Sequence, residues 1–94
     1  MESIIIRVEI FKEDGRYVAV SPELNVSSFG NTPEEAKASL SEAVSLFFEE
    51  CERMKTLNEV LEEAGFVHLA EPTSQWVAPE PLAIEELRIE HVAT

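Results

Sequence analysis

Two histidines, one cysteine and many carboxylates are the residues of this chain that could carry acid–base, nucleophilic or metal chemistry. His68 and His91 stand 23 residues apart and lack the neighbouring ligands with which a zinc site gathers its three or four donors. Cys51 closes a stripe of apolar residues and has no identifiable base nearby in the sequence, which is typical of a buried, inert thiol. We therefore expect structural roles for both histidines and for the cysteine.

The nineteen aspartates and glutamates could supply a hydrolytic dyad or a magnesium site. The adjacent pairs Glu49-Glu50 and Glu62-Glu63 lie in helical patterns, where sequence neighbours point about 100° apart and do not converge. The glycine spacing matches no phosphate-binding loop, and the mid-helix serines accompany no His–Asp arrangement. The sequence thus predicts no catalytic residue, no metal ligand, no cofactor and no enzymatic activity. A metal-dependent nuclease built around Glu9 is the least favoured alternative.

Seven lysines and arginines against nineteen acidic residues give a net charge of −12. This balance argues against direct binding of nucleic acid or of an anionic membrane, because both require cationic side chains. It favours fast capture of a basic partner, although the charge could equally serve only to keep the domain soluble. Without a bilayer-length apolar run, a basic secretion signal or paired cysteines, the chain is expected to be cytoplasmic.

The first third of the sequence has the pattern of an antiparallel sheet. Strict alternation of apolar residues predicts a strand over residues 3–11. The Asp14-Gly15 pair then indicates a hairpin turn, because glycine adopts positive φ without a steric penalty. A return strand over 16–21 and a weaker third strand over 24–29 complete the predicted sheet.

A long amphipathic helix follows this sheet. Thr32 is a suitable N-cap, Pro33 suits the first helical position, and Glu35 can reach back to close a capping box. One apolar stripe runs down the helix at three- to four-residue spacing: Ala36, Leu40, Ala43, Val44, Phe47, Phe48 and Cys51.

The rest of the chain is less regular. A second capping-box pattern over 56–59 and Gly65 predict the start and the end of a short helix, and a strand over 66–70 follows. Residues 82–92 fit either a helical stripe or, by the alternation at 87–90, an edge strand, and we favour the strand.

The predicted fold class is α+β, with a three-stranded antiparallel sheet (β-β-β-α) covered by one long helix and followed by a short helix and one or two additional strands. Residues 1–70 would form the β-β-β-α-α-β domain, and residues 71–94 a C-terminal extension of the same domain, irregular and then strand-like. Ile5 and Phe11 on the second face of the first strand leave apolar surface uncovered. We therefore expect a homodimer or a higher even oligomer, formed through sheet edges or the second helix.

An ordered set of short motifs resembles the HicB-like antitoxin family of toxin–antitoxin pairs. The matching residues are Asp14, Gly15, Tyr17, Pro22, Gly30, Thr32, Glu35 and Ala36. The resemblance covers about residues 3–65, with Asn31 in place of the usual acidic residue. Many members of the family append a DNA-binding module, whereas residues 66–94 carry five glutamates against Arg88 alone and show no clear helix pair, so the sequence leaves repression of its own operon open.

The resemblance implies a partial ribonuclease-H-like domain without nuclease activity. It also implies a partner, a small basic HicA-type toxin that cleaves messenger RNA and whose RNA-binding surface the antitoxin would cover. Under this interpretation Glu49, Glu50 and Glu52 are the candidate contact residues. The alternative is an orphan HicB-like structural or regulatory oligomer without a toxin.

Overall fold

The computed structural model describes residues 2–72 and 74–92. Positions 1, 73, 93 and 94, which belong to the predicted domain and its predicted extension, lie outside the described residues. The elements in chain order are β1 (Ser3–Ile5), β2 (Glu9–Glu13), β3 (Arg16–Ser21), β4 (Val26–Gly30), α1 (Pro33–Arg53), α2 (Leu57–Glu63), β5 (Val67–Leu69) and β6 (Gln75–Val77). The predicted α+β class is confirmed, and a second small sheet adds to it.

The antiparallel sheet has the order β2-β3-β4, with the predicted hairpin between its first two strands. Asp14 and Gly15 both have positive φ, at 50° and 77°, as the tight turn requires. The third strand begins at Val26, two residues later than predicted, because Asn25 is left-handed with φ 55° and ends a turn that precedes the strand.

The predicted first strand over 3–11 is divided into two short strands with different partners. β2 pairs with β3, whereas β1 pairs in parallel with β6 at the register Ile4↔Trp76. β6 also pairs with β5, so the second sheet has the order β1-β6-β5. Residues 6–8 connect the two sheets along one continuous stretch of backbone.

The long helix starts as its cap residues predict. Thr32 Oγ1 accepts a hydrogen bond from Glu35 N at 3.0 Å, and Glu35 Oε2 accepts one from Asn31 N at 2.8 Å, one residue before the predicted donor. Gly30 lies so close to this first turn that an added Cβ would come within 2.6 Å of Ala36 N. The predicted apolar stripe of α1 is buried or half-buried and packs over β4 and β3.

The prediction of a second capping box is wrong, although the short helix itself is present. Thr56 makes no side-chain bond to the start of α2, because its Oγ1 instead donates to Cys51 O at 3.3 Å and joins the two helices. α2 ends at Glu63, and Gly65 follows with φ 89°, as the predicted helix stop requires.

The core consists of two adjoining clusters. Ala19, Ala36, Leu40 and Val44 fill the space between the antiparallel sheet and α1. The second cluster, Leu61, Phe66 and Trp76, lies where α2 meets the second sheet. Three half-buried residues contact both clusters and make the core continuous: Ile6, Leu24 and Phe48.

The C-terminal segment departs from its prediction. Residues 82–92 form no strand, and the second additional strand is instead Gln75–Val77. Beyond it every residue from 80 to 92 is exposed, and the chain measures 53 × 31 × 26 Å. An alternating sequence becomes a strand only where a partner edge accepts its hydrogen bonds, and none does so among the described residues. We call residues 80–92 the C-terminal arm.

Candidate protein-interaction site

The three predicted contact residues lie on the last two turns of α1, and all are exposed. Glu49 forms no ion pair among residues 2–72 and 74–92. Glu50 pairs with Arg53 one turn later, which offsets much of its charge. Glu52 instead lines a surface hollow between the two helices together with Lys55 and Glu59. Glu49 is therefore the residue of the three whose negative charge is least offset by a neighbouring cation.

Glu49 belongs to a longer line of residues on the outer face of α1. A spacing of seven residues is close to two helical turns, so Glu42 and Glu49 lie on the same side, opposite the buried Val44 and Cys51. Leu46 lies between them, four residues after Glu42, and is 66% exposed. We call Glu42, Leu46 and Glu49 the acidic stripe.

Leu46 is the member of this stripe that sequence reasoning missed. A signal for it was present, because Leu46 is the one leucine of α1 that falls outside the apolar stripe running from Ala36 to Cys51. An exposed leucine between two carboxylates offers an apolar contact and flanking negative charge to the same partner. Such a surface suits the binding of a cationic protein.

The eight residues that carry the family resemblance serve the fold and do not converge on one site. Asp14 and Gly15 make the hairpin turn, and Tyr17 packs against the core from β3. Pro22 follows β3 directly. The other four, Gly30, Thr32, Glu35 and Ala36, build the junction between β4 and α1.

A second polar cluster joins the N-terminal strand to the second sheet. Ser74 Oγ donates to Glu2 Oε2 at 2.8 Å and lies 3.0 Å from His68 Nε2, while Glu2 Oε2 is 3.1 Å from the same nitrogen. The hydrogen bond from Ser74 lowers the pKa of the Glu2 carboxyl, and His68 adds to the shift. His68 also stacks on Trp76, with 4.6 Å between the ring centroids.

This Glu–Ser–His cluster differs from a hydrolytic triad. In a triad the serine and the carboxylate contact opposite nitrogens of the histidine ring, so that the carboxylate orients the base that activates the serine. Here both groups approach Nε2, and Ser74 donates to Glu2. The arrangement ties β1, β5 and β6 together through side chains that are partly exposed.

In the part of the chain that the structure describes, no three His, Cys, Asp or Glu side chains form a group able to hold a metal ion, and Glu9 lies exposed on β2. Over the same residues, no helix has both the length and the apolar character needed to cross a bilayer.

Comparisons of this chain with protein-family models, curated proteins and solved structures found no match. The resemblance to HicB-like antitoxins stays a hypothesis based on the motif residues.

Proposed function

We propose that this chain is a non-catalytic, antitoxin-like protein-binding module that neutralises a small basic HicA-type toxin by covering its RNA-binding surface. The observation that carries the proposal is the acidic stripe, in which exposed Leu46 lies between the carboxylates of Glu42 and Glu49. A surface that binds RNA is rich in lysine and arginine, because it must neutralise phosphates. Glutamates spaced along a rigid helix can occupy the same cations.

The charge and the leucine would act at different stages of binding. The net charge of −12 accelerates the encounter with a cationic protein, and salt weakens this attraction. Once the two surfaces meet, burial of Leu46 would contribute the apolar part of the affinity and slow dissociation. The proposal therefore assigns the rate of association to the glutamates and the lifetime of the complex to the leucine.

The fold supports the family resemblance on which the identity of the toxin depends. A three-stranded antiparallel sheet followed by a long helix is the arrangement that the resemblance implied, and it is present. The motif residues stand at its hairpin and at its β4–α1 junction. The free, buried Cys51 suits a reducing compartment, and we place the module in the cytoplasm as part of this proposal.

Co-expression with the small basic protein encoded beside its gene tests the proposal. We expect a stable complex and relief of toxicity. Glu42→Lys with Glu49→Lys should slow association and flatten its salt dependence, and Leu46→Asp should mainly speed dissociation. Glu62→Lys with Glu63→Lys on α2 is the control, because it changes the net charge equally at another exposed surface.

Two results would overturn the proposal. One is the absence of both a complex and relief of toxicity with an intact neighbouring toxin. The other is an equal loss of association rate in the α2 control, which would make the effect one of overall charge and remove the acidic stripe from the contact surface.

The second candidate function is that of an orphan HicB-like structural or regulatory oligomer. The exposed apolar residues of the C-terminal arm favour it, because exposing apolar side chains to water is unfavourable and such surfaces are typical of contacts between proteins. A gene neighbourhood without a small basic reading frame would support this alternative over the first.

A further inference from the structure

The C-terminal arm exposes apolar side chains to an unusual degree. Leu82, Ile84, Leu87 and Ile89 are 71–104% exposed, and residues 80–92 form neither helix nor strand. Leu87-Arg88-Ile89-Glu90 alternates apolar and charged residues, so that a strand at this point would have one apolar face and one charged face. The arm therefore has the chemical pattern of an edge strand but pairs with no edge among the described residues.

An edge of matching length is present on β2. β2 is the outer strand of the β2-β3-β4 sheet, and its other side pairs with no strand among the described residues. All five of its residues are exposed, including Ile10 at 42% and Phe11 at 53%. An open strand of this kind is a ready template for the addition of another strand.

An apolar groove of about 400 Å³ adjoins this edge on the side of α1. Its apolar lining is Ile4, Ile6, Val8, Leu40, Val44 and Phe48. Ile10 lies on the same face of the sheet, because it pairs with Ala19, which is buried beneath α1. A strand added to β2 would thus place every second side chain toward apolar surface.

We propose that two copies of this chain associate by exchanging their C-terminal arms. Residues 86–90 of each copy add a strand to the β2 edge of the other, with Leu87 and Ile89 directed toward Ile10 and the groove. Arg88 then lies between Glu86 and Glu90 on the opposite face of the sheet, the face that carries Glu9, Phe11 and Glu13 of β2. The pairing buries apolar side chains on one face, and on the other face Arg88 is the cation that can pair with Glu9 or Glu13 beside the like charges of Glu86 and Glu90.

The geometry favours a second copy over closure within one chain. Pro79 O accepts a hydrogen bond from Arg7 Nη1 at 3.0 Å, so the arm leaves the body just before β2 begins. Continuing the β1–β6 register would bring residues 81–85, and not 86–90, beside the chain's own β2. Residues 81–85 are exposed and form no strand, so the chain's own arm does not pair with its β2 edge.

Reciprocal exchange also satisfies both features at once. Each copy carries one arm and one edge, so a two-fold pairing leaves neither exposed and closes at two subunits. Each subunit would contribute residues 82–92 and the ten residues that line the groove. This number of contact residues lies at the lower end of the roughly 20–30 that each side of a specific interface uses. The inference does not depend on a toxin partner, because it uses a surface other than the acidic stripe.

Light scattering on the full chain tests the proposal first. We expect twice the chain mass of 10.5 kDa at micromolar concentration. Leu87→Asp with Ile89→Asp should halve this mass and leave the helical signal of the circular dichroism spectrum unchanged, since the arm contributes only strand and lies outside the core. Leu46→Asp, at a leucine of α1 that is 66% exposed, should stay dimeric. A single-chain mass for the unmodified protein, or a dimer that tolerates both arm substitutions, would overturn the proposal.

A mixing experiment distinguishes arm exchange from other dimers. Ile10→Asp removes the acceptor and keeps the arm, so this variant alone should be monomeric. Mixed with the Leu87→Asp, Ile89→Asp variant, it should form a heterodimer held by one exchanged arm, weaker than the unmodified dimer. If the two variants stay monomeric when mixed, although each of them forms a heterodimer with the unmodified chain, arm and edge do not meet.

Cross-linking gives an answer that does not depend on a disruptive substitution. In a Cys51→Ala background, a chain with Ile10→Cys and a chain with Ile89→Cys should form a disulfide-linked pair, and Leu46→Cys in place of Ile89→Cys should not. A chain that carries both Ile10→Cys and Ile89→Cys should link between chains. An exclusively intrachain disulfide would show that the arm closes on its own body and would refute the exchange.

Discussion

The body of the molecule, residues 2–79, and the C-terminal arm use the same kind of sequence pattern with opposite results. Alternating apolar residues in the body become paired strands over a shared core, for example Tyr17 and Ala19 of β3 between two neighbours. Alternating residues in the arm stay exposed and unpaired among the described residues. The comparison shows that alternation specifies the faces of a strand, whereas a partner edge decides whether the strand forms.

The test with the largest expected effect compares the loss of stability on truncating a leucine in the body with that on truncating a leucine in the arm. Leu40→Ala should lower the free energy of unfolding by about 2–5 kcal/mol, because Leu40 is 1% exposed and its removal opens a cavity. Leu87→Ala should change it by no more than about 0.5 kcal/mol in the monomer, because Leu87 is 85% exposed. Urea unfolding of both variants at a concentration below dimer formation measures the difference. Equal losses would contradict the division into body and arm.

The body could be predicted where short-range rules decide. The Asp14-Gly15 hairpin, the Thr32 cap and the stripe of α1 each depend on residues within a turn or two of one another, and each is present. The division of residues 3–11 could not be predicted in this way, because it depends on pairing Ile4 with Trp76, 72 positions later. Local sequence carries no information about which distant strand will lie alongside.

The candidate site shows the same limit in milder form. The pairing of Glu50 with Arg53 and the exposure of Leu46 follow from helical spacing alone and could have been read from the sequence. The placement of Glu52 at the hollow beside α2 depends on how the two helices pack, which spacing does not specify. The strand that the alternation in the arm predicted is absent, because no partner edge accepts it among the described residues.

The next test concerns the junction that places α1 on the body. Gly30→Ala should destabilise the fold by about 1–3 kcal/mol, because the new Cβ would lie 2.6 Å from backbone at Ala36 and would force the helix start away from β4. Gly15→Ala is the matched control, since its added Cβ meets nothing within 4 Å. The control should be destabilised only by the strain of an alanine at φ 77°, which is about 1 kcal/mol. A larger loss at Gly15 than at Gly30 in thermal unfolding would contradict this packing.

A smaller effect is expected where the arm leaves the body. Arg7 bonds both Glu23 Oε2, at 2.6 Å, and Pro79 O, so Arg7→Ala should release the 22–25 loop and the start of the arm together. The Glu23 side chain is only 7% exposed, but Arg7 is 38% exposed and solvent screens the pair, so we expect a loss of about 1–2 kcal/mol. A double-mutant cycle with Glu23→Gln measures the coupling. Purely additive losses would exclude an energetically significant ion pair.

The smallest expected effect is a pH dependence at the N-terminal end of the body. The hydrogen bond from Ser74 lowers the pKa of Glu2 in the folded protein, so near the ordinary glutamate pKa the unfolded chain binds more protons than the folded one. This contribution to stability is therefore present above the ordinary pKa and is lost as the pH falls through the lowered value. Glu2→Gln should remove it, and Ser74→Ala should reduce it.

Two measurements check this dependence. Nuclear magnetic resonance titration of the Glu2 carboxyl should give a lower pKa in the unmodified protein than in the Ser74→Ala variant, because the hydrogen bond from Ser74 is the main cause of the shift. The free energy of unfolding should fall more between pH 6 and pH 3 in the unmodified protein than in Glu2→Gln. Glu63→Gln, on the exposed side of α2, is the control for removing a carboxylate elsewhere. If Glu2→Gln and the unmodified protein lose the same stability over this interval, the Glu2–Ser74 bond does not couple the N-terminal strand to the second sheet.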